Sequence, residues 1–122
     1  MEERARCSEA TLDGRYLFAF DGVGIEGNGQ VPVAGAGYEV FNGNGNVTSV
    51  ISYSVNGTIT RNERVSGTYT VKADCTGTST YDGSHYDLFI TPDGSMFTWV
   101  QTDPGSMLSG FELRGTAKRV GD

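Results

Sequence analysis

The sequence predicts an all-β fold, an eight-stranded antiparallel up-and-down barrel. Hairpin turn signals recur at short intervals, the segments between them are rich in Val, Ile, Thr, Tyr and Phe, and no long segment has helical periodicity. The turn signals are Asn42-Gly43-Asn44-Gly45, Asn56-Gly57, Asp74-Cys75-Thr76-Gly77, Asp82-Gly83, Pro92-Asp93-Gly94 and Asp103-Pro104-Gly105. Gly, Asn and Asp suit tight reversals because they tolerate positive φ. The strands could also form a sandwich, but sequential hairpins favour closure, since a closed sheet leaves no unpaired edge.

The chain divides into an N-terminal arm, residues 1–10, and one barrel domain, residues 11–119. In the first strand, Tyr16, Phe18 and Phe20 alternate with other residues, so their rings share one face. The segment 22–36 is dense in glycine and allows two interpretations: a long loop that acts as a lid, or a twisted, bulged strand edge that covers one end of the sheet. The predicted strands cover residues 11–21, 37–41, 47–55, 58–71, 76–81, 85–91, 96–102 and 107–118.

The composition fits a single domain whose sheet has one solvated face. The chain has 122 residues, of which 37% are hydrophobic and 18 are Gly, and its net charge is −6. A negative protein repels nucleic-acid phosphates, so no nucleic-acid partner is predicted. The chain also lacks an apolar run of the ~18 residues that suggest a membrane helix, so no membrane span is predicted.

The two cysteines bear on the compartment of the protein. Cys7 precedes the first predicted strand and Cys75 lies in a turn. A disulfide between them would tie the arm across the sheet and add roughly 4 kcal/mol of stability; the alternative is two free thiols. The polar start of the chain, residues 1–7, lacks the apolar core of a secretory signal, which fits a cytoplasmic protein or one whose signal has been removed. A disulfide favours export to the periplasm or the exterior, and free thiols favour the cytoplasm.

A further set of segments, taken in order, forms a recognisable pattern: Cys7–Tyr16, Phe41–Asn46, Val55–Thr58, Gly67–Val71, Asp74–Thr78 and Gln101–Gly105. Together these segments resemble small bacterial proteins with the allene oxide cyclase-type barrel, a calycin-like fold. Many such relatives look like exported proteins with cysteines at both of these places. The barrel type also includes the plant cyclase and bacterial spirotetronate cyclases, which close rings without a cofactor. The resemblance therefore implies a barrel fold and, as an activity, cofactor-free ring closure or isomerisation in natural-product biosynthesis.

No metal site and no cofactor are predicted from the residues. His85 is the only histidine and the two cysteines are far apart in sequence, so no zinc or iron ligand set is evident. The aspartates Asp82, Asp87 and Asp93 are interpreted as turn formers. Ser84 and His85 are neighbours on a strand and point to opposite faces, so they do not form a nucleophile–base pair.

Strand parity predicts that the bulky aromatic residues face the barrel interior, because exposing so many rings would be unfavourable at ~25 cal/mol per Å². For each residue the alternative is an ordinary core or surface role. The predicted catalytic residues are Gln101, Tyr53 and Tyr16, whose amide and hydroxyl groups could polarise a carbonyl. The predicted ligand-binding residues are Phe18, Phe20, Ile51, Tyr69, Leu88, Phe97, Trp99 and Glu112.

Two functions follow from such an interior. The first is binding of a lipophilic small molecule, either without turnover or as a cofactor-independent cyclase or isomerase that folds its substrate for pericyclic-type ring closure. The alternative is an exported, disulfide-tied module, non-catalytic, whose barrel is filled with side chains. Val50, Val100 and Phe111, placed on the outer face, predict in addition a homo-oligomer.

Overall fold

The computed structural model describes residues 6–26, 29–103 and 111–121. A short 3₁₀ helix, Glu9–Thr11, precedes the sheet. Each strand pairs antiparallel with the next, and β8 pairs with β1 to close the barrel. The predicted all-β, eight-stranded up-and-down barrel is confirmed. The strands are β1 Asp13–Glu26, β2 Gly29–Asn42, β3 Asn46–Val55, β4 Thr58–Val71, β5 Thr76–Tyr81, β6 Ser84–Ile90, β7 Met96–Gln101 and β8 Phe111–Gly121.

The glycine-dense segment 22–36 is strand, so the lid interpretation is wrong for its described part. Gly22 pairs with Leu113 of β8, and Val33 pairs with Val55 of β3, so this hairpin is bonded on both sides. A Cβ at Gly35 would collide with the ring of Phe20, so this glycine makes room for an aromatic side chain inside the barrel. Residues 27–28, most of the predicted turn at 103–105 and the predicted strand start at 107–110 lie outside the described residues.

The tight turns have the backbone geometry that their residue types predict. Asn56 (φ 50°) and Gly57 (φ 88°) join β3 to β4, and Asp82 (φ 46°) and Gly83 (φ 88°) join β5 to β6. Positive φ at both central residues matches the type I′ turn, whose twist suits a two-residue hairpin. The register of these two hairpins is therefore set by residues adjacent in the chain.

One end of the barrel, here called the closed end, is filled by side chains. It carries the β2–β3, β4–β5 and β6–β7 turns and holds an aromatic cluster of Tyr16, Phe41, Tyr69 and Phe97, all buried. The Phe41 ring meets the Tyr69 ring edge-on, with centroids 4.9 Å apart, and meets the Phe97 ring at 5.7 Å. Fully burying one such ring contributes roughly 1.5–3 kcal/mol. The closed end is therefore a packed core.

The N-terminal arm seals this closed end. Leu12 is fully buried, and its carbonyl accepts a hydrogen bond of 2.9 Å from the Tyr69 hydroxyl. A disulfide joins Cys7 to Cys75, 68 residues away. Of the two interpretations of the cysteine pair, the structure supports the disulfide.

Candidate ligand-binding cavity

Above the closed end the barrel is hollow. A cavity of about 240 Å³ extends from Phe41 and Phe97 to Asp82 in the β5–β6 turn, and every strand contributes at least one lining residue. The opposite end of the barrel, which carries the β1–β2, β3–β4 and β5–β6 turns, is here called the open end. The upper half of the barrel thus has the form of a small pocket with mostly apolar walls.

Five aromatic rings form a continuous series along the wall of the cavity. Centroid distances are 6.0 Å from Phe18 to Phe20, 5.8 Å from Phe20 to Trp99, 5.2 Å from Trp99 to Tyr86 and 6.3 Å from Tyr86 to Tyr81. These five residues are called the aromatic arc below. The arc offers both ring faces and ring edges to a bound molecule.

Glu39 is the one carboxyl group buried in this wall among the described residues. It lies on β2, and the Tyr81 hydroxyl donates a hydrogen bond of 2.8 Å to its Oε2 atom. Its Oε1 atom is buried and has no hydrogen-bond partner within the described part of the chain. Burial raises the pKa of Glu39 to about 7, although the Tyr81 hydrogen bond acts in the opposite direction. The carboxyl group of Glu39 therefore changes between its protonated and its ionised form near neutral pH.

The remaining polar groups of the wall are neutral, apart from one carboxyl at the rim. Ser49, Ser79 and Ser84 contribute hydroxyl groups, and Asp82 lies exposed at the open end. The Ser49 hydroxyl already donates to the backbone carbonyl of Tyr38, at 3.1 Å. None of the described lining residues is Lys, Arg or His. The cavity therefore has acidic groups and no basic one.

Most of the predicted ligand-binding residues do line this cavity. They come from β1, β3, β6 and β7, and all of them have the inward orientation that strand parity predicted. These residues are Phe18, Phe20, Ile51, Leu88, Phe97 and Trp99. Whether they bind a ligand stays a prediction.

Tyr16 and Tyr69 are buried but do not line the cavity. The Tyr16 hydroxyl donates to the carbonyl of Gly94, and the Tyr69 hydroxyl donates to the carbonyls of Glu9 and Leu12. Burial raises the pKa of both hydroxyl groups. These hydroxyls are occupied by backbone carbonyls at the closed end: the Tyr16 hydroxyl holds the β6–β7 turn, and the Tyr69 hydroxyl holds the arm.

Glu112, predicted as a ligand-binding residue, lies on the outer face of β8 and is exposed. The prediction that Glu112 faces inward is therefore wrong. The next residue, Leu113, is the one that faces inward and lines the cavity. Tyr53 is half-buried and lies beyond a register shift between β3 and β4, outside the lining set.

Gln101, the third predicted catalytic residue, is buried near the end of β7 but does not line the cavity. Its Nε2 atom donates to Asp103 at 2.9 Å, and His85 Nδ1 lies 2.7 Å from the other Asp103 oxygen. Burial opposes ionisation of Asp103, but the hydrogen bonds from Gln101 and His85 outweigh it and hold the pKa of Asp103 below its usual value. Gln101 thus has a partner for its amide nitrogen, while its buried Oε1 atom has none among the described residues.

Glu39 was missing from the sequence-based candidates, although a signal was present. It lies two residues before Phe41 on the same strand, and alternation places both on one face. A charged residue at an inward position of a strand indicates either a functional group or a paired charge.

No three His, Cys, Asp or Glu side chains within residues 6–26, 29–103 and 111–121 are arranged to hold a metal ion. In that same part of the chain, no helix has the length and apolar character needed to cross a bilayer. Comparisons with protein-family models, curated proteins and solved structures found no match to the chain.

Proposed function

We propose that this barrel binds a small lipophilic molecule in its cavity, with one polar group of that molecule placed against Glu39. The observation that carries the proposal is the hollow upper barrel, about 240 Å³, lined by the aromatic arc and by one buried carboxyl oxygen that has no partner in the described part of the chain. A buried polar atom without a partner is unfavourable, so a ligand that hydrogen-bonds to Oε1 gains that interaction in addition to its apolar contacts.

The size of the cavity limits the ligand. Typical pockets for drug-sized molecules measure ~300–1,000 Å³, and this cavity lies just below that range. A molecule with one ring and a short polar substituent fits these dimensions better than a polycyclic or long-chain lipid does. The binding energy comes mainly from apolar contacts with the arc, and Glu39 orients the polar end.

A cavity-filling substitution tests the proposal. Ser79 is buried on the inner face of β5, and its neighbour Thr78 is exposed on the outer face of the same strand. We expect Ser79→Leu to weaken binding of toluene and benzyl alcohol at least about tenfold. The larger side chain would overlap the space that the ligand needs, and the energetic cost of such overlap exceeds the ~1.4 kcal/mol that a factor of ten represents. Thr78→Leu adds the same side chain outside the barrel and leaves affinity unchanged.

Calorimetry and the emission of Trp99, the only tryptophan, measure these affinities. If neither probe binds the native protein at millimolar concentration, or if the two variants weaken binding equally, the proposed function is wrong.

Catalysis is a second candidate function, favoured by the ionisation of Glu39. A general acid or base works best with a pKa near the working pH, and the pKa of Glu39 is raised to about 7 by burial. We infer that, if the protein is a cofactor-independent cyclase or isomerase of the type its resemblance implies, Glu39 moves the proton and the aromatic arc folds the substrate. Turnover of a candidate polyene or epoxide would then be lost in Glu39→Gln and retained in Asp87→Asn, which removes an exposed charge from the outer wall.

The structural-module alternative accounts for only half of the barrel. The closed end is filled with side chains and tied by the Cys7–Cys75 disulfide, as that alternative requires, but the open end is hollow. Disulfides persist in oxidising compartments, so we propose that the protein is exported and works outside the cytoplasm. Export is compatible with binding as well as with a structural role.

A further inference from the structure

The charge of the cavity wall selects among lipophilic ligands. Glu39 is buried in the wall and Asp82 lies at the rim, while no described lining residue is basic. The chain as a whole, these two carboxyl groups included, carries a net charge of −6. An anionic ligand would meet only like charge here, so carboxylates such as fatty acids are disfavoured, and a cation is attracted.

The aromatic arc provides the second feature that a cation needs. A ring face attracts an ammonium group placed within about 6 Å of its centre, and the attraction is largest for Trp. Trp99 and Tyr86 lie next to each other in the arc, and Tyr81 at its end hydrogen-bonds directly to Glu39. The arc and the carboxyl group are therefore parts of one wall.

The buried Oε1 atom of Glu39 provides the third feature. Tyr81 satisfies Oε2, and Oε1 has no donor within the described residues. An ammonium group carries several N–H donors and a positive charge, so it can satisfy Oε1 and neutralise the carboxylate together. A neutral alcohol can do only the first of these.

From these three features we infer that the cavity takes a small aromatic amine in its ammonium form, with the nitrogen held by Glu39 and the ring packed on the aromatic arc. This inference rests on the proposed binding function and specifies the ligand class. The small volume, about 240 Å³, suits a single ring with a short aminoalkyl substituent. Benzylamine is the simplest such molecule.

Glu39 is the cavity group whose charge changes near neutral pH. The tyrosines of the wall, Tyr81 and Tyr86, and those of the closed end, Tyr16 and Tyr69, all have a pKa raised by burial above the ordinary value of 10.0. They stay neutral across the range in which Glu39 loses its proton. Asp82, the other carboxyl of the lining, is exposed at the rim.

Three single-ring probes of similar size and different charge, benzylamine, benzyl alcohol and benzoate, test the inference. At pH 8 we expect benzylamine to bind at least about tenfold more tightly than benzyl alcohol, because hydrogen bonds between charged groups are stronger than those of neutral groups. Benzoate should bind most weakly of the three. Glu39→Gln should remove the preference for the amine, so that amine and alcohol bind with similar affinity, whereas Asp87→Asn, which removes the same charge from the outer wall, should keep the preference.

A pH series on the native protein gives a second test that needs no variant. Benzylamine requires ionised Glu39, so its affinity should be about 100-fold lower at pH 5 than at pH 8, while the affinity for benzyl alcohol should not fall on acidification. Equal affinities of amine and alcohol at pH 8, or an amine preference that survives in Glu39→Gln or at pH 5, would overturn the amine inference and leave the binding function standing. Failure of all three probes to bind would refute the binding function as well.

Discussion

Glu39 determines how the interior of the barrel responds to pH. Its carboxyl group is buried beside Tyr81, and burial raises its pKa from 4.5 to about 7. The native protein therefore holds this proton more tightly than the unfolded chain does. The resulting stabilisation is complete below about pH 4.5 and is lost as the pH rises through 7, because a buried carboxylate must then be accommodated.

Replacing this carboxyl by an amide should remove that pH dependence. A pKa difference of this size corresponds to about 3 kcal/mol, at ~1.36 kcal/mol per unit. We expect the unfolding free energy of Glu39→Gln, measured relative to that of the native protein, to increase by about this amount between pH 5 and pH 9, because only the native protein loses this stabilisation. Urea titrations at constant ionic strength measure the difference.

Glu112→Gln serves as the control for this experiment, since Glu112 is exposed on the outer face of β8. Its unfolding free energy should follow that of the native protein across the same pH range. A Glu39→Gln curve that also runs parallel to the native one would show that Glu39 is not a buried, proton-binding group.

At the scale of elements, the N-terminal arm and the sheet form one unit at the closed end. The 3₁₀ helix is capped by Ser8, Glu9 accepts from the backbone of Val71, and Cys7 is bonded to Cys75. The cavity lies at the other end of the barrel. The contacts that tie the arm to the sheet and the cavity are therefore separated along the barrel axis.

Removing the disulfide should affect stability and spare the cavity. The bond closes a loop of 68 residues, for which chain entropy predicts about 4 kcal/mol of stabilisation. We expect Cys7→Ser combined with Cys75→Ser to lose stability of this order in urea titrations, with an unchanged Trp99 emission maximum under native conditions. A shifted emission maximum, or a loss below about 1 kcal/mol, would contradict this separation.

Glycine at the inner face of β8 makes room for the aromatic arc. A Cβ at Gly115 would lie 2.7 Å from the Trp99 ring and would also meet the backbone of Ala19. We expect Gly115→Ala to destabilise the protein by about 1–3 kcal/mol through overpacking and to shift Trp99 emission. Gly121→Ala on the same strand, where an added Cβ meets nothing, is the matched control and should have neither effect.

At the scale of the whole molecule, barrel closure leaves no open sheet edge, so association must use side chains of the outer wall. Phe89 is 54% exposed and Val100 is 43% exposed on the neighbouring strands β6 and β7. Val50 is half-buried, and the prediction of Phe111 as an outer-face residue is wrong: Phe111 shares the inward orientation of Leu113, and its ring lies against Gly24 of β1. Exposed apolar side chains that lie close together favour contact with a second molecule.

The predicted homo-oligomer can be tested by sedimentation. We expect species larger than the 13.0 kDa chain at micromolar concentration, and a shift towards the monomer in Phe89→Ser. Leu17→Ser, an equally exposed apolar residue on β1, should shift the equilibrium less. Sedimentation of the native protein as 13.0 kDa species alone would refute the oligomer.

The local signals in the sequence were sufficient to predict the order of the strands but not the bounds of every strand. The Asn56-Gly57 and Asp82-Gly83 turns marked their hairpins correctly, because the turn geometry depends on adjacent residues. The β1–β2 hairpin was harder to recognise, since Gly22 and Gly35 give no strand signal of their own. Their strand conformation comes from pairing with β8 and β3 and from the space that the Phe20 ring needs.

The sequence by itself determined the fold class, the number and order of the strands and the inward orientation of Phe18, Phe20, Phe97 and Trp99, because turn chemistry and alternation act over a few residues. Only the tertiary structure decided that one end is filled and the other hollow, and that Glu39 meets Tyr81 from 42 residues away. Strand curvature, the β3–β4 register shift and ring closure set these distances. They depend on all eight strands together, so no local pattern in the chain records them.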